Sequence, residues 1–488
     1  MPYSISTETD RRIHKKTRVT WLKWRWALLW LFIIGYLLTN SMLGGGSSYL
    51  AATMGAIASC AILLTRLSRP LNVTLPFWTI LAVFLVGYYV KFYWIVLDPG
   101  LLRTPGQTIG SGYTTASLLS AFTLATIAFA SFCLTGWVFL GLSNKQHSHY
   151  CVETYGAVYR SAARFLIWTV PILMLLTFIV SYRTGILIMG VDNVHLPFRL
   201  AGIISYSRSV FIPGLILVLV FCGDKGGVTF HKKMGIALLL LHGLSDALLR
   251  SSRGQFIMFV LALGFYFLLR GKALKRSESA ILIGSVLLTP LLFLIITEYR
   301  AYRIFFPNAS IIEALTSSIQ SISSSNDGFV AIPIGGLRLV FMRVTGIEML
   351  LAYTNQGVLP LGMGALDVIS SPRGVTGYVT RDLLRVPEYA NTAFAVSLPG
   401  WFYLVGGTVF MAIGIIGYVA LIKGIWNSLK RFRLRTLPAA QALVLMWVYF
   451  VTVEGTLDDQ WFSLITMVAS VMLCEWLVRR FEHLAQKR

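Results

Sequence analysis

The chain has 488 residues, 56% of them hydrophobic and 13% charged, with a mean hydropathy of +0.71. That is too apolar for a soluble protein of this size, and it argues against a nucleic-acid-binding protein in spite of a formal charge of +22. A helix crosses a bilayer with about 20 apolar residues, so where the charge falls between apolar runs says more than its sum.

Residues 1–23 are hydrophilic and basic and contain RRIHKKTR. The apolar run that follows has no cleavage-site pattern and reads as an uncleaved anchor. Apolar runs then recur at 24–43, 47–65, 75–97, 115–141, 165–183, 209–222, 235–249, 255–269 and 280–297. A long segment, 298–397, separates these nine from three more at 398–421, 438–454 and 461–478, and a tail at 479–488 ends the chain. The reading is an all-α polytopic integral membrane protein with about 12 transmembrane helices and a large, partly helical external loop between spans nine and ten.

Twelve spans put both termini on one side. Lys and Arg gather in the N-terminal segment, in every even-numbered loop and in the C-terminal tail. Basic residues near span ends favour the cytoplasm, which places the termini there and 298–397 outside. The two basic residue types divide unequally. Every lysine except Lys91 falls on the cytoplasmic side, whereas the rest of the chain holds thirteen arginines. Arginine grips phosphate and carboxylate with a planar fork and keeps its charge when buried. The external face therefore reads as a surface for phosphate.

The five cysteines, Cys60, Cys133, Cys151, Cys222 and Cys474, give no disulfide or zinc spacing and avoid the external loops. No nucleotide-binding GxxxxGK[ST] loop occurs, and no cofactor is expected. The segment 298–397 opens with EYRAYRIFFP, passes through a polar SSIQSISSSNDG and a helix-like LRLVFMRVTGIEMLLAY, and returns to the membrane through SLPGWFYLVGG. It reads as a cap over the membrane helices.

Candidate site residues cluster at the external span ends. Arg250 and Arg253 are three apart, as are Arg300 and Arg303, so each pair shares a helix face. Arg338 and Arg343 lie on the loop helix and Arg373 follows. Together these seven form a candidate pyrophosphate-binding set, with Arg253 also a candidate for catalysis. Glu298, beside Arg300 and Arg303, and Glu348, five after Arg343, are the candidate bases. Each could equally be the ion-pair partner of a neighbouring arginine. His242 and Asp246, four apart in the seventh span, share a face and read as a buried polar pair that could position Arg250.

At this point the chain resembles a known family. SSRGQFIMF is similar to the Ser-Arg-Gly helix start of bacterial O-antigen polymerases, the Wzy-type oligosaccharide repeat-unit polymerases. LVFMRVTGIEML resembles their external-loop helix with an arginine, a glycine and an acid. SSPRGV, followed by NTAFAVSLPGWFYLVGGTVFMAIGIIGYVAL, resembles their Pro-Arg segment and return helix. The resemblance covers roughly residues 245–425 and rests mainly on the order of the motifs.

It implies a metal-independent glycosyltransferase in the bacterial cytoplasmic membrane. Donor and acceptor would be oligosaccharides on undecaprenyl pyrophosphate, joined at the periplasmic face into O-antigen, capsule or exopolysaccharide. Arginines would stabilise the departing pyrophosphate, and a chain-length regulator would be a partner. An O-antigen ligase and a lipid-linked oligosaccharide flippase are the alternatives. Ligases of that kind resemble one another in a loop histidine, which 298–397 lacks, and a flippase needs no such loop. Glycosyltransferases that use a polyprenyl monophosphate sugar usually carry acids in the first external loop, where this chain has GGGS.

Overall fold

In a computed structural model the described residues are 26–98, 113–142, 156–185, 200–306, 309–324, 331–344, 346–371, 374–384, 395–455 and 457–486. Among them every regular element is helical. Nine helices precede the large insert: α1 (Trp26–Thr39), α2 (Ser47–Arg66), α3 (Leu71–Leu97), α4 (Thr115–Gly141), α5 (Gly156–Thr184), α6 (Ala201–Lys225), α7 (Thr229–Leu249), α8 (Arg253–Leu269) and α9 (Arg276–Phe305). Within the insert come α10 (Ile311–Ser324), α11 (Ala331–Arg343), α12 (Ile347–Asn355), α13 (Ala365–Ser370) and α14 (Gly374–Tyr378). The chain closes with α15 (Leu398–Arg431), α16 (Leu437–Glu454) and α17 (Leu457–Gln486).

The twelve helices outside the insert coincide with the twelve apolar runs, and the chain is an all-α polytopic membrane protein. Eight of them are long and apolar enough to cross a membrane. Trp26–Thr39, Gly254–Leu269 and Leu437–Val453 are apolar but shorter. The remaining one, α7, carries Lys232, Lys233 and Asp246. Short connections make neighbours alternate in direction. The ends of α3, α7 and α9 and the starts of α8, α15 and α17 therefore share the side that carries the insert.

Burial separates core helices from lipid-facing ones. In α3 72% of the apolar window is buried, against 22% in α5 and 28% in α9. Helix α9 has 30 residues, about 45 Å at 1.5 Å per residue. That exceeds a hydrocarbon core of about 30 Å, so α9 can carry Glu298, Arg300 and Arg303 out to the membrane edge.

The insert does more than cap the bundle. A Cβ on Gly336 of α11 would stand 2.3 Å from the Pro290 carbonyl oxygen of α9. Pro290 lies eight residues before Glu298, about 12 Å along the helix. A Cβ on Gly346, just before α12, would stand 2.1 Å from the Gly87 carbonyl oxygen in the π-helical part of α3. Gly87 is ten residues from Leu97, about 15 Å. The α11–α12 junction thus sits well below the helix ends, and glycine is required wherever the two backbones touch. The other end of α12 rises to the start of α4, where Thr354 Oγ1 donates to the Ser117 carbonyl at 3.1 Å.

Candidate functional site

Among the described residues, the α7–α8 tip gathers Arg208, Asp246 and Arg250 on the insert side. Helix α7 ends at Leu249, Ser251 takes a left-handed φ of 48°, and α8 begins at Arg253. Serine holds such a conformation only where its surroundings fix it. Here the Ser251 and Ser252 amides donate to Leu248 and Ala247 at 3.2 and 3.0 Å.

One turn earlier, Asp246 is fully buried and faces two guanidinium groups. Arg208 Nε donates to its Oδ1 at 2.7 Å, and Arg250 Nε stands 2.8 Å from its Oδ2. Arg208 also donates to Thr177 Oγ1 and Ser245 Oγ, both at 3.2 Å, and its guanidinium lies over the Phe178 ring. Arg250 donates to the Ser205 carbonyl at 3.0 Å and to Ser209 Oγ at 2.8 Å.

The local backbone explains the position of Arg208. Residues Ser207–Phe211 form a π turn within α6, and the Ile212 amide donates to Ser207. In that register the Arg208 carbonyl would receive its bond from residue 213, which is a proline and has no N–H. His242 fills the gap: its Nε2–H donates to the Arg208 carbonyl at 2.7 Å. The expected His242–Asp246 face is therefore buried and polar, and both residues serve Arg208.

Among the described residues, charge does not balance here. Two arginines share one carboxylate, which leaves one positive charge over. Arg208 and Asp246 are 0% exposed, whereas the Arg250 side chain is 17% exposed. The surplus therefore lies on Arg250, at the accessible edge, where an anion can reach it.

The neighbouring α9 end joins this tip through apolar contacts. Ala247, Phe256, Val260 and Ile296 form one buried cluster. Beyond it, Glu298 is half-buried and accepts from Ser321 Oγ of α10 at 3.3 Å. Arg300 is half-buried. Arg303 is buried, and its Nη1 donates to the Ala309 carbonyl. Arg300 and Arg303 therefore do not act as an equivalent pair, because Arg303 closes the α9–α10 connection.

Glu348 occupies a different position. Lys91, fully buried in α3, donates its Nζ to Glu348 Oε1 at 2.7 Å and to the Val344 carbonyl at 2.7 Å. Glu348 Oε2 accepts from the Gly346 amide at 3.1 Å. Broken helices at membrane depth need their freed backbone groups satisfied, and this pair satisfies both sides of the α11–α12 break. Glu348 is thus held by an ammonium and a backbone amide. The same contact accounts for Lys91, the one lysine that the sequence sets apart from the others.

Arg338 is exposed on α11. Arg253 is the first residue of α8 and Arg343 the last of α11, and their side chains lie outside the described residues, as does Arg373 altogether. Sequence reasoning missed Arg208 and the partner of Lys91. A signal existed for both: each is a lone cation inside an apolar stretch, and such residues are functional or structural candidates by default.

No family model, curated protein or solved structure matches this chain.

Proposed function

We propose that the protein polymerises undecaprenyl-pyrophosphate-linked oligosaccharide repeat units at the periplasmic face of a bacterial cytoplasmic membrane, with both termini in the cytoplasm. The observation that supports this reading is the unbalanced cluster at the α7–α8 tip, where Arg208 and Arg250 share Asp246. A pyrophosphate is the anion whose charge grows as a glycosyl bond to it breaks, and a fixed guanidinium stabilises such charge more in the transition state than in the ground state.

In this mechanism a hydroxyl of the acceptor's terminal sugar attacks the anomeric carbon of the donor chain. The C–O bond to the pyrophosphate breaks and its electron pair leaves with the phosphate oxygen. Arg250 and Arg253 take up the charge, with Arg300 at the neighbouring helix end. Glu298 accepts the hydroxyl proton; its contact with a serine hydroxyl leaves it freer than Glu348. Arginines supply the positive charge, so the reaction needs no metal. Arg338, Arg343 and Arg373 of the insert would complete the pyrophosphate-binding set, and a chain-length regulator would act on the growing polymer.

The test is a gel of products from purified protein in liposomes given the lipid-linked repeat unit of its own host, without nucleotide and with chelator. A ladder of increasing length is expected, and Arg253→Ala should abolish it without changing protein abundance. Transfer seen only when lipid A core is supplied would make the protein a ligase. Movement of the lipid across the bilayer with no covalent product would make it a flippase.

A further inference from the structure

Three lysines are buried among the described residues, and one of them differs from the other two. Lys91 meets Glu348, and Lys232 meets Asp224 and Glu278. Lys423 of α15 is 8% exposed, and its Nζ has no hydrogen-bond partner among the described residues. An ammonium taken out of water without a counter-charge is costly.

The described carboxylates on the side away from the insert, where α15 ends, are already taken. They are Asp224, Glu278, Glu475 and Glu482. Lys232 holds the first two, Arg479 pairs with Glu475 and Arg435 with Glu482.

The surroundings of Lys423 add positive charge. Lys430 lies seven residues further along α15, on the same face, and Arg69 lies in the turn between α2 and α3. Both stand close enough for charge to act between them and Lys423. Arg69 Nη1 donates to the Leu140 carbonyl, which fixes this guanidinium at the end of α4.

The depth of the cluster is that of a lipid headgroup. Trp426, one turn after Lys423, is buried, and its Nε1 donates to the Asn72 carbonyl in the first turn of α3 at 2.9 Å. Lys423 therefore lies about 5 Å inside the helix ends. At the same level Arg66, the last residue of α2, lies over the ring of Trp137, which is exposed on α4. Tryptophan and arginine gather where hydrocarbon gives way to headgroups. A basic pocket between helix ends at this depth suits an anionic headgroup. The bilayer itself delivers a lipid phosphate to this level, whereas a free phosphate would have to leave water.

We propose that Lys423, with Arg69 and Lys430 beside it, binds the phosphate of an anionic phospholipid in the leaflet away from the insert. This site is separate from the Arg208–Asp246–Arg250 cluster and does not rest on the polymerase reading.

The experiment uses full-length protein purified in detergent and stripped of lipid. Phosphatidylglycerol, phosphatidylcholine or inorganic phosphate is added, and binding is read by native mass spectrometry and by thermal melting. Lys423→Met keeps the length of the side chain and removes its charge. Without lipid it should melt no lower than the wild type, because it removes a buried charge that has no partner. Lys233→Met, at an exposed position near the start of α7 on the same side, is the control. The expected result is that phosphatidylglycerol stays bound and raises the melting temperature of the wild type, while phosphatidylcholine does not. Its affinity should fall about fivefold or more in Lys423→Met, the effect of one cation at a headgroup, and be restored in Lys423→Arg. Lys233→Met should bind like the wild type. Wild-type affinity in Lys423→Met, or an equal loss in Lys233→Met, overturns the proposal. So does a large drop in melting of lipid-free Lys423→Met, which would mean that the ammonium has its partner within the protein. Full protection by inorganic phosphate alone, lost in Lys423→Met, would keep the phosphate site and overturn the lipid as its source.

Discussion

The same helices carry an ionic cluster at each end, and the two are built differently. On the side away from the insert, Lys232 lies 2.9 Å from Asp224 and also pairs with Glu278. Arg270 donates to Glu278 at 2.9 Å and stands 3.9 Å from Asp224. Two largely buried cations meet two largely buried carboxylates, and Lys272, 3.4 Å from Asp224, adds a third cation at the rim that is 53% exposed, so the surplus charge here stands in solvent. At the insert side, α6 and α7 bring two arginines to one carboxylate and leave the surplus on Arg250. The first cluster staples α6, α7, α8 and α9 together. The second has the same kind of buried ion pair plus a surplus charge on Arg250 that is largely shielded from solvent and, among the described residues, meets no second carboxylate. The exposure of the surplus charge, more than the number of charges, separates a staple from a binding site.

The largest effect should come from removing the shared carboxylate. Asp246→Ala strands Arg208 with no counter-ion, and breaking a buried pair costs about 3–5 kcal/mol, a large part of the 5–15 kcal/mol typical of a folded domain. Folded protein recovered in detergent should fall steeply. Normal yield and melting would mean that Arg208 does not depend on Asp246.

Glu348→Gln should come next. It leaves Lys91 buried beside a neutral group, at about 2–3 kcal/mol, seen as a lower melting temperature in detergent. Lys91→Met combined with Glu348→Leu should recover part of that loss, because an apolar pair leaves no charge stranded. No recovery in the double variant would point to a role for Glu348 beyond the helix break.

Arg250→Ala inverts the pattern. Arg208 still satisfies Asp246, so melting should shift little, while the polymerisation rate falls about a hundredfold, the usual effect of deleting one charge-stabilising donor. Equal losses of stability and activity would place Arg250 with the staples.

Smallest of all is Lys272→Ala. An exposed ion pair contributes about 0–1 kcal/mol, so neither stability nor activity should change measurably.

Much of the fold is legible in the sequence because membrane helices announce themselves through composition. Twelve apolar runs became twelve helices, with ends displaced by up to ten residues, as at the end of α15. The descent of the insert is less legible. AIPIGGLRLVFMR is apolar enough for depth yet short and broken by glycine, and only its contacts with Pro290 and Gly87 reveal where it sits.

The site was legible in residue type and incompletely in partner. Arg250 stood out by spacing, and the chance that Asp246 positions it was visible four residues away. Arg208 lies 38 residues from Asp246 and Lys91 lies 257 from Glu348, separations that no local pattern encodes. Both could still have been suspected, since a cation inside an apolar run needs a counter-charge somewhere in the chain.

The most direct test compares binding of undecaprenyl pyrophosphate to wild-type protein, Arg250→Ala and Lys272→Ala in liposomes at several salt concentrations. The surplus charge on Arg250 predicts that Arg250→Ala weakens binding about tenfold or more, the worth of one charge-assisted contact, while Lys272→Ala binds like the wild type. Undiminished binding in Arg250→Ala, or an equal loss in Lys272→Ala, would contradict the assignment of the Arg208–Asp246–Arg250 cluster as the anion site.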